Sequence, residues 1–380
     1  MVDTLLVITT SYPRSGDGSE AAGSFVADMV SELASRVPVR VLAPGDRSVV
    51  ENAGPGVTVH RFVAPQGNLG NLRLTSPVDM WRIFKVLRAG LRASRDAASD
   101  GCVGHVLACW ALPSGWWALH LLRRHQIPYS VWMLGSDVWS LGRVPVVRGI
   151  LRKVMRRAHR RYADGLLLAD DSRRICGLDV DFLPSTRRLQ AGEPSPLSTQ
   201  PPYRLVYIGR WHPNKGIDLL LDALALLDDR DWERIAEVRI FGGGPMNDEV
   251  HRRAKPLAEV GRPVEVAGFI TKEEAERAIV RADYLLIPSR IESIPVVFSD
   301  AMKLGRPVVA MPVGDFPALF AKASFGVLAK KATAIELVNA LRAALTASPE
   351  SFAKGVRCHA SDFDLSAIAD RLLAEAFGHG

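Results

Sequence analysis

Apolar positions along this chain fall into two alternating rhythms. Short stretches rich in apolar residues at 5–9, 39–42, 57–62, 103–108, 129–133 and 165–169 read as strands. Between them the spacing turns helical, as at 25–35 and 78–95. Strands in alternation with helices predict a parallel sheet covered on both faces. The pattern stops after residue 183, where Pro184, Pro194, Pro196, Pro201 and Pro202, mixed with Ser185, Ser195 and Ser198, read as an interdomain linker that leaves few packed contacts between the halves. Alternation resumes at Leu205 and runs to about Leu328, and helical patterns at 332–345 and 365–377 close the chain. The fold class expected is α/β, with one domain over 1–190, a second over 200–361 and a terminal helix within 362–380.

Composition refines this only a little. A chain of 380 residues suits two domains of ordinary size, and a 48% hydrophobic content suffices for two large cores. The four cysteines (Cys102, Cys109, Cys176, Cys358) show neither metal spacing nor a disulfide framework, so a reduced, cytoplasmic chain is expected. The first apolar run is too short for a signal peptide and reads as a strand. Residues 103–122 are long and apolar enough to raise the question of a membrane span, but Pro113, Ser114 and Gly115 break the run and His105 and His120 lie inside it. A strand, a loop and a buried helix are expected there, with His105 a satisfied core histidine.

Charge is uneven. Residues 1–190 hold 25 Lys and Arg against 16 Asp and Glu, a net of +9, and the remainder hold 23 against 25, a net of −2. Much of the excess lies between Arg143 and Arg161 at helical spacing, with Val147, Ile150, Leu151, Val154 and Met155 on the other side. Two readings stand: a solvated helix face, or attraction to an anionic membrane surface or a diphosphate-linked acceptor. No nucleic-acid motif accompanies the charge, and no nucleic-acid partner is expected. Trp110, Trp116, Trp117, Trp132 and Trp139 read mostly as core, with one or two available to line an acceptor cleft.

Candidate chemistry concentrates in the second half. The apolar run 205–208 leads through Gly209-Arg210 to Lys215-Gly216, and a helical pattern follows at Ile217, Leu220, Leu221 and Leu224. Two cations in one strand-to-helix loop are placed to hold an anion: Arg offers a fork for phosphate oxygens and Lys a mobile point charge. Some eighty residues on, a buried strand at 284–287 leads to Glu292-Ser293-Ile294-Pro295-Val296 and, eight positions after Glu292, to Asp300 in a helical pattern. A loop acid and a helix acid beyond a strand's carboxyl end face the crevice where open α/β sheets bind ligands. Two cations with two hydroxyl acceptors describe a site for a nucleotide diphosphate sugar.

With these motifs in view, the chain resembles the retaining glycosyltransferases of family 4, which have the GT-B fold. The resemblance rests on Gly209-Arg210 with Lys215-Gly216, on Phe241-Gly242-Gly243-Gly244-Pro245, on Val266 to Ile270, on Glu292 to Asp300 with Ala301-Met302, and on Gly305 to Val309. In the first half it rests on Ser11-Tyr12-Pro13, Gly23 to Val26 and Leu134 to Val138. It implies two Rossmann-like domains facing a cleft, the second binding the nucleotide-sugar donor, the first binding a saccharide or lipid-linked acceptor, and a last helix crossing back to the first. Arg210 and Lys215 would stabilise the leaving diphosphate. Glu292, with Ser293, Ile294, Pro295 and Val296, would contact the donor sugar, Asp300 the ribose, and Ile270 would lie near the base. Gly209 and Gly243 would allow close backbone approach, although Gly242 to Gly244 read equally as a tight strand exit. The loop at Gly23, which precedes the first long helix, would approach the phosphates; a plain turn is the other reading.

Two departures qualify the match. The family's usual His is Leu134 here, so that residue's role does not carry over; Asp137 either orients or deprotonates the acceptor hydroxyl or caps the turn after it. Asp300 stands where Glu is usual and reads either as the ribose acceptor or as an acid favoured by a helix N-terminus. Asp179-Val180-Asp181 mimics a metal motif of another glycosyltransferase fold but falls where a strand leads to the linker. No metal or other cofactor is expected, the nucleotide sugar being a substrate. The function expected is a metal-independent retaining transfer to an acceptor hydroxyl in cell-surface polysaccharide or glycolipid assembly, in the cytoplasm or on the inner face of the membrane. A nucleotide-sugar epimerase and a non-catalytic membrane-associated scaffold fit the same fold.

Overall fold

A computed structural model describes residues 3–14, 20–64, 76–190 and 196–378. Two compact units divide it, one formed by Met1–Arg188 with Leu365–Gly380, the other by Leu189–Asp364.

The first unit runs β1 (Thr4–Ile8), α1 (Glu20–Ala34), β2 (Val39–Gly45), β3 (Val49–Asn52), β4 (Val57–Val63), α2 (Pro77–Ala97), β5 (Val103–Cys109) and α3 (Ser114–His125). It continues with β6 (Tyr129–Met133), α4 (Ser136–Trp139), α5 (Pro145–Arg157), β7 (Arg160–Ala163), α6 (Leu166–Cys176) and β8 (Asp181–Phe182). The strands form one sheet in the order β3-β4-β2-β1-β5-β6-β7-β8, parallel except for β3. Strands such as β1 and β6 are buried along their whole length, as expected for a sheet covered on both faces. Trp117, Leu151 and Val154 belong to the core on one face, Val26, Met29 and Leu33 to that on the other.

The second unit runs β9 (Tyr203–Arg210), α7 (Ile217–Ala225), α8 (Asp229–Trp232), β10 (Ile235–Gly243), α9 (Asn247–Glu259), β11 (Val264–Ala267), α10 (Lys272–Arg281) and β12 (Tyr284–Ile287). Then follow α11 (Val296–Lys303), β13 (Val308–Ala310), α12 (Phe316–Lys322), β14 (Gly326–Leu328), α13 (Ala334–Thr346) and α14 (Ala353–Ala360). Its parallel sheet is ordered β11-β10-β9-β12-β13-β14. The chain's last helix, α15 (Leu365–Phe377), packs on α1 in the first unit.

Sequence order reverses at β1/β5 in one sheet and at β9/β12 in the other. At such a switch point the loops leaving two neighbouring strands diverge to opposite faces and open a crevice at the carboxyl edge.

Two local expectations fail. Residues 165–169 are not a strand; they open α6, and the strand is β7, whose sequence Arg-Arg-Tyr-Ala has no apolar run. Three consecutive leucines suit either element, and here Leu166 and Leu167 are exposed while Leu168 is buried. The basic helix ends at Arg157, because Ala158 turns extended, so Arg160 and Arg161 belong to β7. The Pro-rich stretch, read as a linker, is tied at each end to its own unit. Arg188 binds Asp28 and Glu32 in the first unit; in the second, the Gln190 and Ser198 amides donate to Glu276 and Asp283, each at 2.8 Å. Pro194 and Ser195 lie outside the described residues. Segment 103–122 is strand, loop and helix as expected, and no helix among the described residues is long and apolar enough to cross a membrane.

Candidate active site

In the second unit, neighbouring strands β9 and β12 bring the two candidate loops together. The β9 loop carries Arg210 and Lys215; the β12 loop carries Glu292. Backbone bonds zip them: the amides of Arg290 and Ile291 donate to the Asn214 carbonyl at 2.8 and 3.2 Å. Arg290 adds a clamp, donating from both terminal nitrogens to Asp218 at 2.7 and 2.6 Å and to the Pro213 carbonyl at 2.8 Å. Burial pushes the Asp218 carboxyl up, but the Arg290 guanidinium outweighs it and the net displacement is downward.

Lys215 Nζ donates to Glu292 Oε2 across this seam. Below the pair lies Tyr207, whose hydroxyl donates to the Arg210 carbonyl at 3.3 Å. Burial, and then the carboxylates of Glu292 and Asp218, hold that hydroxyl well above its usual value. Arg210 itself is exposed at the end of β9.

Two glycines permit the close approach. Gly216 has φ +66°, and a Cβ there would stand 1.9 Å from the Pro288 carbonyl oxygen. Gly314 has φ +56°, and its Cβ would stand 2.2 Å from the Glu292 carbonyl oxygen. Neither position tolerates a side chain without moving the loop that carries Glu292.

The other donor-side candidates lie on further strands, loops and helices of the second unit. Gly209 and Gly243 lie on adjacent strands, and Gly243 accepts the Trp211 amide at 2.8 Å. The Phe269 ring, 77% exposed, lies against Gly243, and Ile270 follows it, half-buried, before the Thr271 capping box of α10. Ser293, Ile294 and Pro295 are buried and lead into α11, with Val296 half-buried as its first residue. Asp300 sits on the second turn of α11 with a relative exposure of 0%. It is therefore not the first-turn acid that a purely dipolar role requires.

In the first unit, Gly23 lies inside α1 rather than before it. A Cβ there would meet Pro13 Cδ at 2.8 Å, so the bare backbone lets the Tyr12-Pro13 segment pack on the helix. Arg61 holds that segment, donating to the Pro13 carbonyl at 2.7 Å and to Glu51 at 2.8 Å. Residues 15–19 of the loop before Gly23 lie outside the described residues.

Asp137 is buried at the start of α4, where Oδ2 accepts the Ala111 amide at 2.7 Å and Oδ1 the Leu134 amide at 3.3 Å. It ties the loop after β5 to the loop after β6. Burial pushes its carboxyl up to about 6, against the downward pull of these backbone donors. His105 is buried on Ser130 Oγ at 2.9 Å; burial, and then His159, push it down to about 4. No group of three or more His, Cys, Asp or Glu among the described residues is arranged to hold a metal ion.

Sequence reasoning missed Arg290, Asp218, Tyr207 and Gly314. Arg290 and Asp218 are 72 positions apart and carried no spacing signal. Only the adjacency of β9 and β12 could have paired them.

Two α/β units, each with its switch point, make up the GT-B fold. Over 97% of both chains the structure superposes on sucrose-phosphate synthase from Thermosynechococcus elongatus with a TM-score of 0.75 at 18% identity. It superposes on Anabaena HepE in complex with UDP with a TM-score of 0.68 at 18% identity, covering 97% of this chain and 98% of that one. Residues 202–347 match the family model described as glycosyl transferases group 1. A 204-residue stretch is 31% identical to D-inositol 3-phosphate glycosyltransferase of Corynebacterium aurimucosum, covering 52% of this chain and 48% of that protein. The chain thus spans about half the length of the curated relatives it matches. The resemblance to a GT-B glycosyltransferase is borne out in fold and, over residues 202–347, in sequence.

Proposed function

We propose that this chain transfers a sugar from a nucleoside-diphosphate sugar to an acceptor hydroxyl, with retention of configuration and without a metal ion. The observation that carries the reading is the meeting of Lys215 and Glu292 at the β9/β12 switch point, on loops fixed by Arg290 and two glycines. The curated relative named as a glycosyltransferase and the UDP complex of HepE support it.

In this reading Arg210 and Lys215 take the diphosphate and Glu292 the sugar hydroxyls. The pairing of Lys215 with Glu292 holds the two loops in one geometry and keeps both charges partnered. As the bond from the sugar's anomeric carbon to the phosphate oxygen breaks, negative charge grows on that oxygen, where fixed cations lower the barrier most. The anomeric carbon bonds to the acceptor oxygen, and the acceptor proton passes to the leaving phosphate on the same face, so no enzymic nucleophile is required. Asp137 serves by holding the two loops of the first unit, and Asp300 by accepting from the ribose. The acceptor is a saccharide or lipid-linked saccharide of cell-surface polysaccharide or glycolipid assembly, used on the cytoplasmic side of the membrane.

The test is a panel of nucleoside-diphosphate sugars with candidate acceptors, read by release of nucleoside diphosphate and by the anomeric signal of the product. Transfer that survives EDTA, with the donor's configuration kept, is expected. Activity lost on chelation and restored by magnesium or manganese defeats the metal-free part. Inverted product defeats retention, and conversion of the donor sugar without acceptor makes the chain an epimerase.

A further inference from the structure

One face of the first unit carries a surface that its core does not use. Helix α2 buries Val86, Gly90, Ser94 and Ala97 and turns the opposite stripe outward, with Trp81, Phe84, Arg88 and Arg92 along it. Trp81 and Phe84 are each 58% exposed, Val78 60% and Met80 48%. Single exposed apolar residues are ordinary, but four within the first turns of one helix, two of them aromatic, form a patch that calls for a partner. Lys85 Nζ lies 3.4 Å over the Trp81 ring, so the indole is already paired with a cation.

The neighbouring helices extend this face. α2 packs on α3 and α3 on α5, so the three lie side by side. α2 leads into β5, α3 into β6 and α5 into β7, all parallel strands, so the three helices begin at the same, carboxyl edge of the sheet. α5 brings to that edge its own apolar residues Val146, 76% exposed, and Ile150. Further along the two helices come the cations. Among the described residues Arg88, Arg92, Lys153, Arg156 and Arg157 enter no ion pair, nor does Arg148, which stands between Val146 and Ile150 in α5. α2 holds only two acids, Asp79 and Asp96, and α5 none.

We propose that this face docks on an anionic phospholipid bilayer, with Trp81 and Phe84 entering the interface and the arginines and lysines of α2 and α5 lying on headgroup phosphates. An apolar row at one edge with cations behind it matches the depth profile of a bilayer surface, where indole and phenyl rings sit at headgroup level. Unpaired cations are drawn to an anionic leaflet. Charge argues against a second copy, since this face would meet its own cations. The exposed apolar cluster argues against nucleic acid, which would engage the cations and leave the rings in water. The sequence pattern pointed to α5; the structure gives the inserting role to the start of α2. Docking of this kind goes beyond sugar transfer and stands whether or not the chain transfers sugar.

The experiment is flotation of the full chain with phosphatidylcholine vesicles prepared with and without phosphatidylglycerol. Binding to the anionic vesicles that weakens as salt rises is expected. Trp81→Ser with Phe84→Ser should lower partitioning by about tenfold or more, as should Arg88→Glu with Arg92→Glu, with circular dichroism unchanged because all four side chains are exposed. Brominated lipid should quench tryptophan fluorescence in the parent chain and markedly less in Trp81→Phe. Equal binding to neutral and anionic vesicles, parent-like binding by the Trp81/Phe84 variant, or a dimer dissolved by that variant without vesicle binding would each overturn the proposal.

Discussion

Lys215 donates to Glu292 across the seam between the β9 and β12 loops, joining two residues 77 positions apart at the switch point of the second sheet. If the pair is the centre of a donor site, its members fail differently when removed. Lys215→Ala and Arg210→Ala should each reduce kcat by about 10²–10³, the cost of losing one fixed donor to transition-state charge. Glu292→Ala should reduce activity too, and it leaves Lys215 free to bind inorganic phosphate more tightly. Melting temperatures should stay close to the parent's, since partly exposed ion pairs contribute little. Parent-like turnover in both cation variants removes the assignment.

The Arg290–Asp218 clamp acts on the same loops without belonging to the pair. Arg290→Ala and Asp218→Ala should each lower stability, and a double-mutant cycle should return a coupling of about 1 kcal/mol, near the upper end for partly exposed pairs. The folded-state carboxyl of Asp218 lies below its unfolded value. Its contribution is therefore present above the unfolded value and is lost as pH falls through the folded one. Urea titrations should show a coupling that is full at neutral pH and gone under strong acid; a coupling unchanged by acid contradicts the clamp.

How much of this was legible in the sequence follows from the range of each signal. Apolar runs reported most strands and the linker region because burial on both faces is written locally. Arg210, Lys215 and Glu292 were legible because each lies just beyond such a run. The pairing of Arg290 with Asp218 depends on which strands neighbour each other, and no local pattern encodes that. β7 was missed because its two arginines hide a strand that is buried only at Tyr162 and Ala163. The exposure of Trp81 and Phe84 was hidden for the opposite reason: an apolar residue in a helical pattern reads as core until the packing shows which stripe faces inward.

Asp137 gives a pH dependence of opposite sign. Its folded-state carboxyl is raised to about 6, against an ordinary value of 3.8. Between these values the folded chain binds the proton more readily than the unfolded one, so this group's contribution falls as pH rises from 3.8 to 6 and is flat outside that window. The size is up to about 3 kcal/mol, from about 1.36 kcal/mol for each pKa unit. Asp137→Asn should flatten the pH–stability curve in that window relative to the parent. If Asp137 serves by holding loops, the variant should keep its kcat pH profile and lose activity mainly through KM for the acceptor. A profile whose limb near pH 6 vanishes in Asp137→Asn would make it the base instead.

Asp300 tests the donor reading at its weakest point. It lies eight positions after Glu292, on the second turn of α11, and is fully buried. Phe298, on the same helix, packs against Phe316, Phe325 and Phe363, so this part of the unit is dense. A carboxylate in such a place has two uses. It can serve the packing of α11, or it can accept from a ribose hydroxyl that reaches it once the donor is bound. In the second case Asp300→Ala should weaken nucleoside-diphosphate binding by about 1.5–3 kcal/mol, the range for hydrogen bonds to a charged group. Asp300→Asn keeps the shape and one acceptor and should lose less. Asp300→Glu restores the residue usual in the resembled family, and should retain affinity if the helix admits one more methylene. A purely structural role separates cleanly from this: Asp300→Ala would then lower the melting temperature while calorimetry on the folded variant returned the parent's nucleotide affinity.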